Sequence, residues 1–242
     1  QRGRMRVAIH QPEFFPWIGF FDKMKRVDTY VIFDHVQFKK RYFENRNRLK
    51  IKDDSTWVTL PVLTKGRFNQ RISDVEINDD INWQKKMFAK LQHCSVGTPY
   101  GKQTVESLRP IIIERKYNNL IDFNLSIIDW FRDQLGILTP TVFSSSLGVD
   151  KFTSSQLILE ICKKINAKTY LCGNSGKDYL MLDDFTREGI DVEWQNFDHP
   201  EYRQSGQNFV PYLSSLDFIF NFGPHSMEYF NETIVGSKNE RN

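Results

Sequence analysis

His10, Gln11 and Pro12 stand directly after the apolar run Val7-Ala8-Ile9, and the aromatic stretch Phe14-Phe15-Pro16-Trp17 follows them. In open parallel sheets, ligands bind beyond the carboxyl ends of the strands, and imidazole titrates nearest neutral pH. His10 is therefore a candidate general base or phosphate donor. The alternative is a ring that bonds a neighbouring carbonyl and holds the Pro12 turn. Gly19 opens a helix-like run, where a ligand can approach backbone N–H groups and the positive end of the helix dipole; a tight turn explains one glycine equally well.

Asp34, His35 and Gln37 follow a second apolar run, on the same expected sheet edge. Behind them Lys39, Lys40, Arg41, Arg46, Arg48, Lys50 and Lys52 face the single Glu44. Guanidinium forks clamp phosphate, and the interleaved Tyr42 and Phe43 offer faces to a base or sugar. Single-stranded nucleic acid takes the same residue types, but the run is short and the chain is nearly neutral. A compact nucleotide-like phosphate fits better, and nucleic acid is not expected as a partner.

Two later segments join the list. Tyr170-Leu171-Cys172-Gly173 reads as a strand running into a turn, with Asn174, Ser175 and Tyr179 placed to line a pocket. It lacks the spacing of a phosphate-binding P-loop. Nothing marks a lowered thiol pKa at Cys172, so an inert buried thiol is the preferred reading. Asp198, His199, Tyr202, Gln204, Asp217 and Asn221 alternate with aromatics and prolines near the C-terminus. Such a loop can position a ligand or pack Phe209 and Tyr212 onto the core as a lid.

The elements that must hold these residues follow from periodicity. Residues 5–10 and 29–34 read as strands, with a helix between them bearing Ile18, Phe21, Phe20 or Met24, and Val27 on one face. Strand, loop, helix and strand at this length make a βαβ unit with parallel neighbours. Residues 56–62 and 72–77 read as two further strands. From Asn82 the pattern is helical, and Leu120, Phe123, Ile127, Phe131 and Leu135 form its clearest stripe, stopped by Gly136. Residues 141–145 form a strand; a capped helix carries Leu157, Ile158, Ile161 and Ile165; strands follow at 168–173 and 189–197, and a short capped helix at 214–223. The expectation is one α/β domain over residues 5–235, mostly parallel, with a helical insertion over 82–136.

Composition sets the outer bounds. The 242-residue chain is 40% hydrophobic with 20 Phe, enough for a real core. No apolar run is long enough to span a bilayer, and the N-terminus lacks the apolar region of a secretion signal. The residues before Met5, Arg2 and Arg4 included, read as a tag remnant. Cys94, Cys162 and Cys172 have no metal-site or disulfide spacing, which fits a reducing cytoplasm. The five histidines are scattered with no HxH or HxxxH pair, so no metal is expected. Residues 1–52 hold 13 Lys or Arg against 5 Asp or Glu, while the remainder hold 20 against 25. The positive excess thus lies with the His10 segment, where it suits phosphate.

Taken together, "HQPEFFPWIGFFDKM", "DHVQFKKRYFENRNRLK", "WVTLPV", "YLCGNSGKDYL" and the HPEYRQ to SSLDFIFNFG region resemble the WbqC-like family from Met5 to about Gly223. The pattern carries His10, Gln11, Pro12, Trp17, Gly19, Lys23, Asp34, Gln37, Asn45 and Arg46, and later Gly173, Tyr179, His199, Tyr202, Gln204, Asp217 and Gly223. A small residue, often serine, stands in the family where this chain has Cys172. The resemblance implies bacterial surface-polysaccharide (O-antigen) biosynthesis on a nucleotide-linked amino sugar. A looser similarity links the opening to nucleotidylyltransferase-like ligases such as pantothenate synthetase. Those carry H-x-G-H where this chain has Trp17-Ile18-Gly19-Phe20, so both phosphate-binding histidines are missing.

The leading expectation is a cytoplasmic transferase that moves an acyl or aminoacyl group onto the sugar amine. In it, His10 or His199 is the base. Gln37, Asn45 or N–H groups near Gly19 are the oxyanion donors, with Asp34 beside them. Arg41, Arg46 and Arg48 hold the diphosphate, and Gln11, Trp17, Lys23, Gly173, Tyr179, Tyr202 and Gln204 bind substrate. No cofactor is required; an acyl carrier protein thioester or ATP is the expected source of activation. The other classes left open are an ATP-dependent adenylate-forming ligase and a non-catalytic nucleotide-sugar-binding protein.

Overall fold

A computed structural model describes residues 5–236; Arg2 and Arg4 lie outside the described residues. The chain is α/β and divides into two compact units. Unit 1 comprises residues up to Gln11, Asp22–Val36 and Ile137–Asp198, and unit 2 comprises Pro12–Phe21, Gln37–Gly136 and the residues from His199 onward.

Unit 1 is built on a parallel five-stranded sheet. Its strands are β1 (Arg6–His10), β2 (Thr29–Ile32), β5 (Thr141–Phe143), β6 (Thr169–Cys172) and β7 (Asp191–Trp194), in spatial order β5-β2-β1-β6-β7. Between β1 and β2 runs α1 (Ile18–Lys25), whose first residues belong to unit 2. The expected βαβ opening is thus present. Helix α6 (Ser154–Lys164) lays Leu157, Ile158 and Ile161 into the same buried cluster as Val7, Ile9, Val31 and Tyr170. Helix α7 (Leu182–Arg187) adds Phe185 to that cluster. These stripes match the helical and strand periods read from sequence.

Unit 2 contains an antiparallel hairpin, β3 (Arg46–Ile51) with β4 (Asp54–Thr59). Its helices are α2 (Trp83–Ser95), α3 (Gly101–Ser107), α4 (Arg109–Ile112), α5 (Leu120–Leu135), α8 (Ser215–Phe222) and α9 (Ser226–Tyr229). All five stripe residues of α5 are fully buried, and Gly136 ends the helix in the left-handed conformation. Phe123 stacks on Phe14 at 6.0 Å, and Phe131 meets Phe15 and Phe21 edge-on or tilted. Phe14 and Phe15 therefore serve as core, one use for the aromatic loop after His10.

Two sequence expectations are corrected. Residues 72–77 are not a strand: Ile72–Asp74 form a 3-10 turn, and Ile77 and Glu76 make only isolated bridges. Ile72 and Val75, three apart, are both fully buried, which is the spacing of that turn. Conversely, the basic segment, to which periodicity assigns no element, contains β3. Its charges survive in a strand because the Arg46 guanidinium lies 4.0 Å over the Trp57 ring, while Asn47 and Leu49 face inward.

Gly19 has a packing reason. A Cβ there would lie 2.2 Å from the Trp17 indole. The expected outcome of Gly19→Ala is a loss of about 1–3 kcal/mol in urea unfolding, the usual cost of overpacking. Trp17→Ala in the same chain is expected to recover part of that loss.

Candidate functional site at the carboxyl edge of the parallel sheet

The sheet of unit 1 grows from β1 in both directions, through β2 to β5 on one side and through β6 to β7 on the other. The order reverses between β1 and β6, and open α/β sheets bind ligands outside the carboxyl ends of the strands at such a reversal. The residues at those two ends are His10 and Cys172, followed by Gln11 and Gly173.

Lys23, on the last turns of α1, is 5% exposed, and its Nζ lies 3.3 Å from Nδ1 of His10. A lysine ammonium has only hydrogens to offer, so with Lys23 charged Nδ1 accepts and a neutral His10 carries its ring proton on Nε2. Beside Lys23, Asp22 is fully buried and accepts from Arg26 at 3.0 Å and from Gln195 Nε2 at 3.0 Å. Gln195 in turn gives its backbone N–H to the carbonyl of Cys172 at 2.7 Å. Sequence reading passed over Asp22 and Gln195; an acid one position before a lysine carries no periodic signal.

Burial pushes the Cys172 thiol up, outweighing its contact with Tyr170 and the nearby Lys23 ammonium. It is a buried, protonated thiol pressed on the Gly176 turn. Gly173 differs from every other described glycine. Its φ is −69°, and a Cβ added there would meet nothing within 4 Å. Neither backbone nor packing demands a glycine at this point. Tyr179 closes the same turn, with its hydroxyl pKa raised by burial.

Asp34, at the end of β2, serves the neighbouring strand ends. Its carboxylate accepts from Ser145 N (2.9 Å), Ser145 Oγ (2.6 Å) and Ser144 Oγ (3.1 Å). Ser144 spends its one proton there, so it accepts from Nδ1 of His35 at 2.6 Å. This stitches β2 to β5.

The remaining sequence candidates belong to unit 2, where most have structural partners. Gln37 Nε2 donates to the Phe68 carbonyl at 2.9 Å, and Asn45 Nδ2 to that of Leu60 at 3.0 Å. Arg46 also donates to the Arg41 carbonyl at 2.6 Å, and Arg48 lies 5.7 Å from the Trp57 ring centre. Tyr202 Oη and Gln204 Nε2 both donate to Asp217, at 2.7 and 3.0 Å. Lys50, fully buried, donates to the carbonyls of Lys52, Ser205 and Asn208 at 2.8, 2.8 and 2.6 Å. His199 donates from Nδ1 to the Pro200 carbonyl at 2.9 Å and accepts at Nε2 from Tyr212 N at 3.1 Å. Burial lowers its pKa. A ring with both nitrogens engaged by backbone is poorly placed to take a substrate proton. Among the described residues, no group of three or more His, Cys, Asp or Glu converges as metal ligands would.

Two carboxyls in unit 2 are shifted upward. Burial pushes Glu44 up to about 7, and Asp217 up to about 6 in spite of its hydrogen bonds to Tyr202 and Gln204. Groups that hold protons more tightly when folded add stability below their unfolded pKa, and that stability is lost as pH rises through the folded value. Unfolding free energy is thus expected to fall between about pH 4 and pH 7. Glu44 has one oxygen on Lys39 N and the other, buried, without a hydrogen-bond partner. Glu44→Gln is expected to flatten this dependence and to stabilise the protein at pH 8 by about 2 kcal/mol, measured by urea titrations across the range.

A model described as the WbqC-like protein family matches residues 11–229. An uncharacterized protein of Mycobacterium tuberculosis, Rv1507c, is 32% identical over 225 residues, covering 93% of this chain and 96% of that protein. No solved structure matches. No helix among the described residues is long and apolar enough to cross a membrane.

Proposed function

We propose, for a chain that belongs to the WbqC-like protein family, an amide-forming transfer in bacterial surface-polysaccharide biosynthesis. An acyl or aminoacyl group passes from a thioester to the amine of a nucleotide-linked sugar. The observation that carries this reading is the His10–Lys23 pair at the reversal point of the parallel sheet.

In this reaction the sugar amine attacks the thioester carbonyl, whose oxygen takes up negative charge. The C–S bond then breaks, the amide forms, and the departing thiolate takes the proton lost by the amine. The oxyanion needs donors fixed before the reaction begins. His10, held with its proton on Nε2, is such a donor, and a neutral imidazole polarises a carbonyl in this way in other enzymes. Lys23 keeps the tautomer in place and adds positive charge. This assigns His10 the role of donor in place of base, and it leaves His199 to hold its loop. Gly173 gives the substrate a path over bare backbone.

A second reading, an ATP-dependent ligase with an adenylate intermediate, is favoured by the strand order, which is that of nucleotide-binding sheets. Pyrophosphate exchange with a candidate acid separates it from direct transfer. A non-catalytic nucleotide-sugar binder would show calorimetric binding with no chemical change.

The test is turnover of UDP- or dTDP-linked amino sugars with acyl or aminoacyl thioesters. His10→Ala is expected to lower kcat about 10²–10³-fold, while His10→Gln, which keeps an N–H donor, retains clearly more. Equal loss in the two would favour a base, and full activity in His10→Ala would remove the site. For Gly173→Ala, folding stability is expected to stay level or rise by up to about 1 kcal/mol, while kcat/KM drops at least about tenfold. A variant equally active and equally stable would show that nothing passes over Gly173.

A further inference from the structure

Unit 2 has a cleft of its own on the segment after Asp34. Gln37, Phe38, Lys39, Lys40, Arg67 and Phe68 line a volume of about 420 Å³, within the range of small-molecule sites. Phe68 is 75% exposed, a large ring in the open. The Lys40 ammonium lies 5.5 Å from its centre, and that of Lys39 lies 5.4 Å from the Tyr42 ring. Arg67 is neutralised by Glu76. Among the described residues, neither Lys39 nor Lys40 takes part in a salt bridge. The carboxyl beside Lys39 is Glu44, buried behind it and bonded to its backbone N–H.

From this arrangement we infer that the cleft binds a nucleoside diphosphate, with the base stacked on Phe68 and the phosphates on Lys39 and Lys40. A flat ring next to ammonium groups outside any salt bridge selects a ligand that is itself a flat ring joined to anionic oxygen. The cleft has room for one such unit, which distinguishes it from a strand-tracking nucleic-acid groove. The inference goes beyond the amide-forming reaction and does not depend on it, since the binding would stand if no acyl transfer were found.

The experiment is calorimetric titration of the full chain at low salt with UDP, ADP, uridine, inorganic phosphate and a short single-stranded oligonucleotide. UDP or ADP is expected to bind, and to bind at least about tenfold more tightly than uridine or phosphate alone. Phe68→Ala and the pair Lys39→Gln with Lys40→Gln are each expected to weaken that binding about tenfold or more. Lys102→Gln, an exposed lysine elsewhere in unit 2, is expected to leave it unchanged. These side chains are at the surface, so unchanged thermal melting verifies that the variants fold. Three results would overturn the inference: no binding of either diphosphate, binding indifferent to the cleft variants, or the oligonucleotide bound more tightly than the diphosphates.

Discussion

An ammonium group cannot accept a hydrogen bond, and the chemistry proposed for this protein turns on that limit. With a charged Lys23 Nζ at 3.3 Å from His10 Nδ1, that nitrogen accepts and a neutral imidazole carries its proton on the other. A histidine at the end of a strand is ordinarily ambiguous between acid, base and ligand, because its two tautomers are close in energy. Here a charged amine on Nδ1 selects one of the two. The position of Lys23 is itself secured from behind: Asp22 is gripped by Arg26 and Gln195, and Gln195 is tied to the end of β6.

Much of this architecture can be read from the chain. Strict periodicity survives wherever an element buries one face against its own unit: the α5 stripe, the α6 stripe and the apolar strands of the parallel sheet. It fails where side chains meet special partners. Arg46, Arg48 and Lys50 show no element because their charges mask an inward alternation of Asn47 and Leu49. Their charge is tolerated through contacts with Trp57 and a set of carbonyls that no local pattern announces. Residues 72–77 look like a strand because Ile72, Val75 and Ile77 satisfy two periods at once.

The candidate residues show the same division. His10, Gln11 and Gly173, chosen as residues at strand ends, fall on the edge where the sheet order reverses. Types alone do not show which polar groups bind the protein's own backbone. Asn45, Gln37, His199 and Gln204 have the donors and acceptors of a binding site, and each uses them on main-chain groups of unit 2. Buried backbone must be paired, and irregular segments such as residues 197–214 draw on polar side chains to do it. In the opposite sense, Gly173 stands out by what it lacks, an attribute that only coordinates reveal.

Lys50 holds two separate chain segments, around residues 52 and 205–208, through three carbonyls of one side chain. All three of its hydrogens are occupied and the group is out of contact with solvent. Its amine is consequently shielded from acylating reagents for as long as those segments stay docked. Mass-spectrometric labelling of this one lysine therefore clocks the local opening of the hairpin and the loop that caps it.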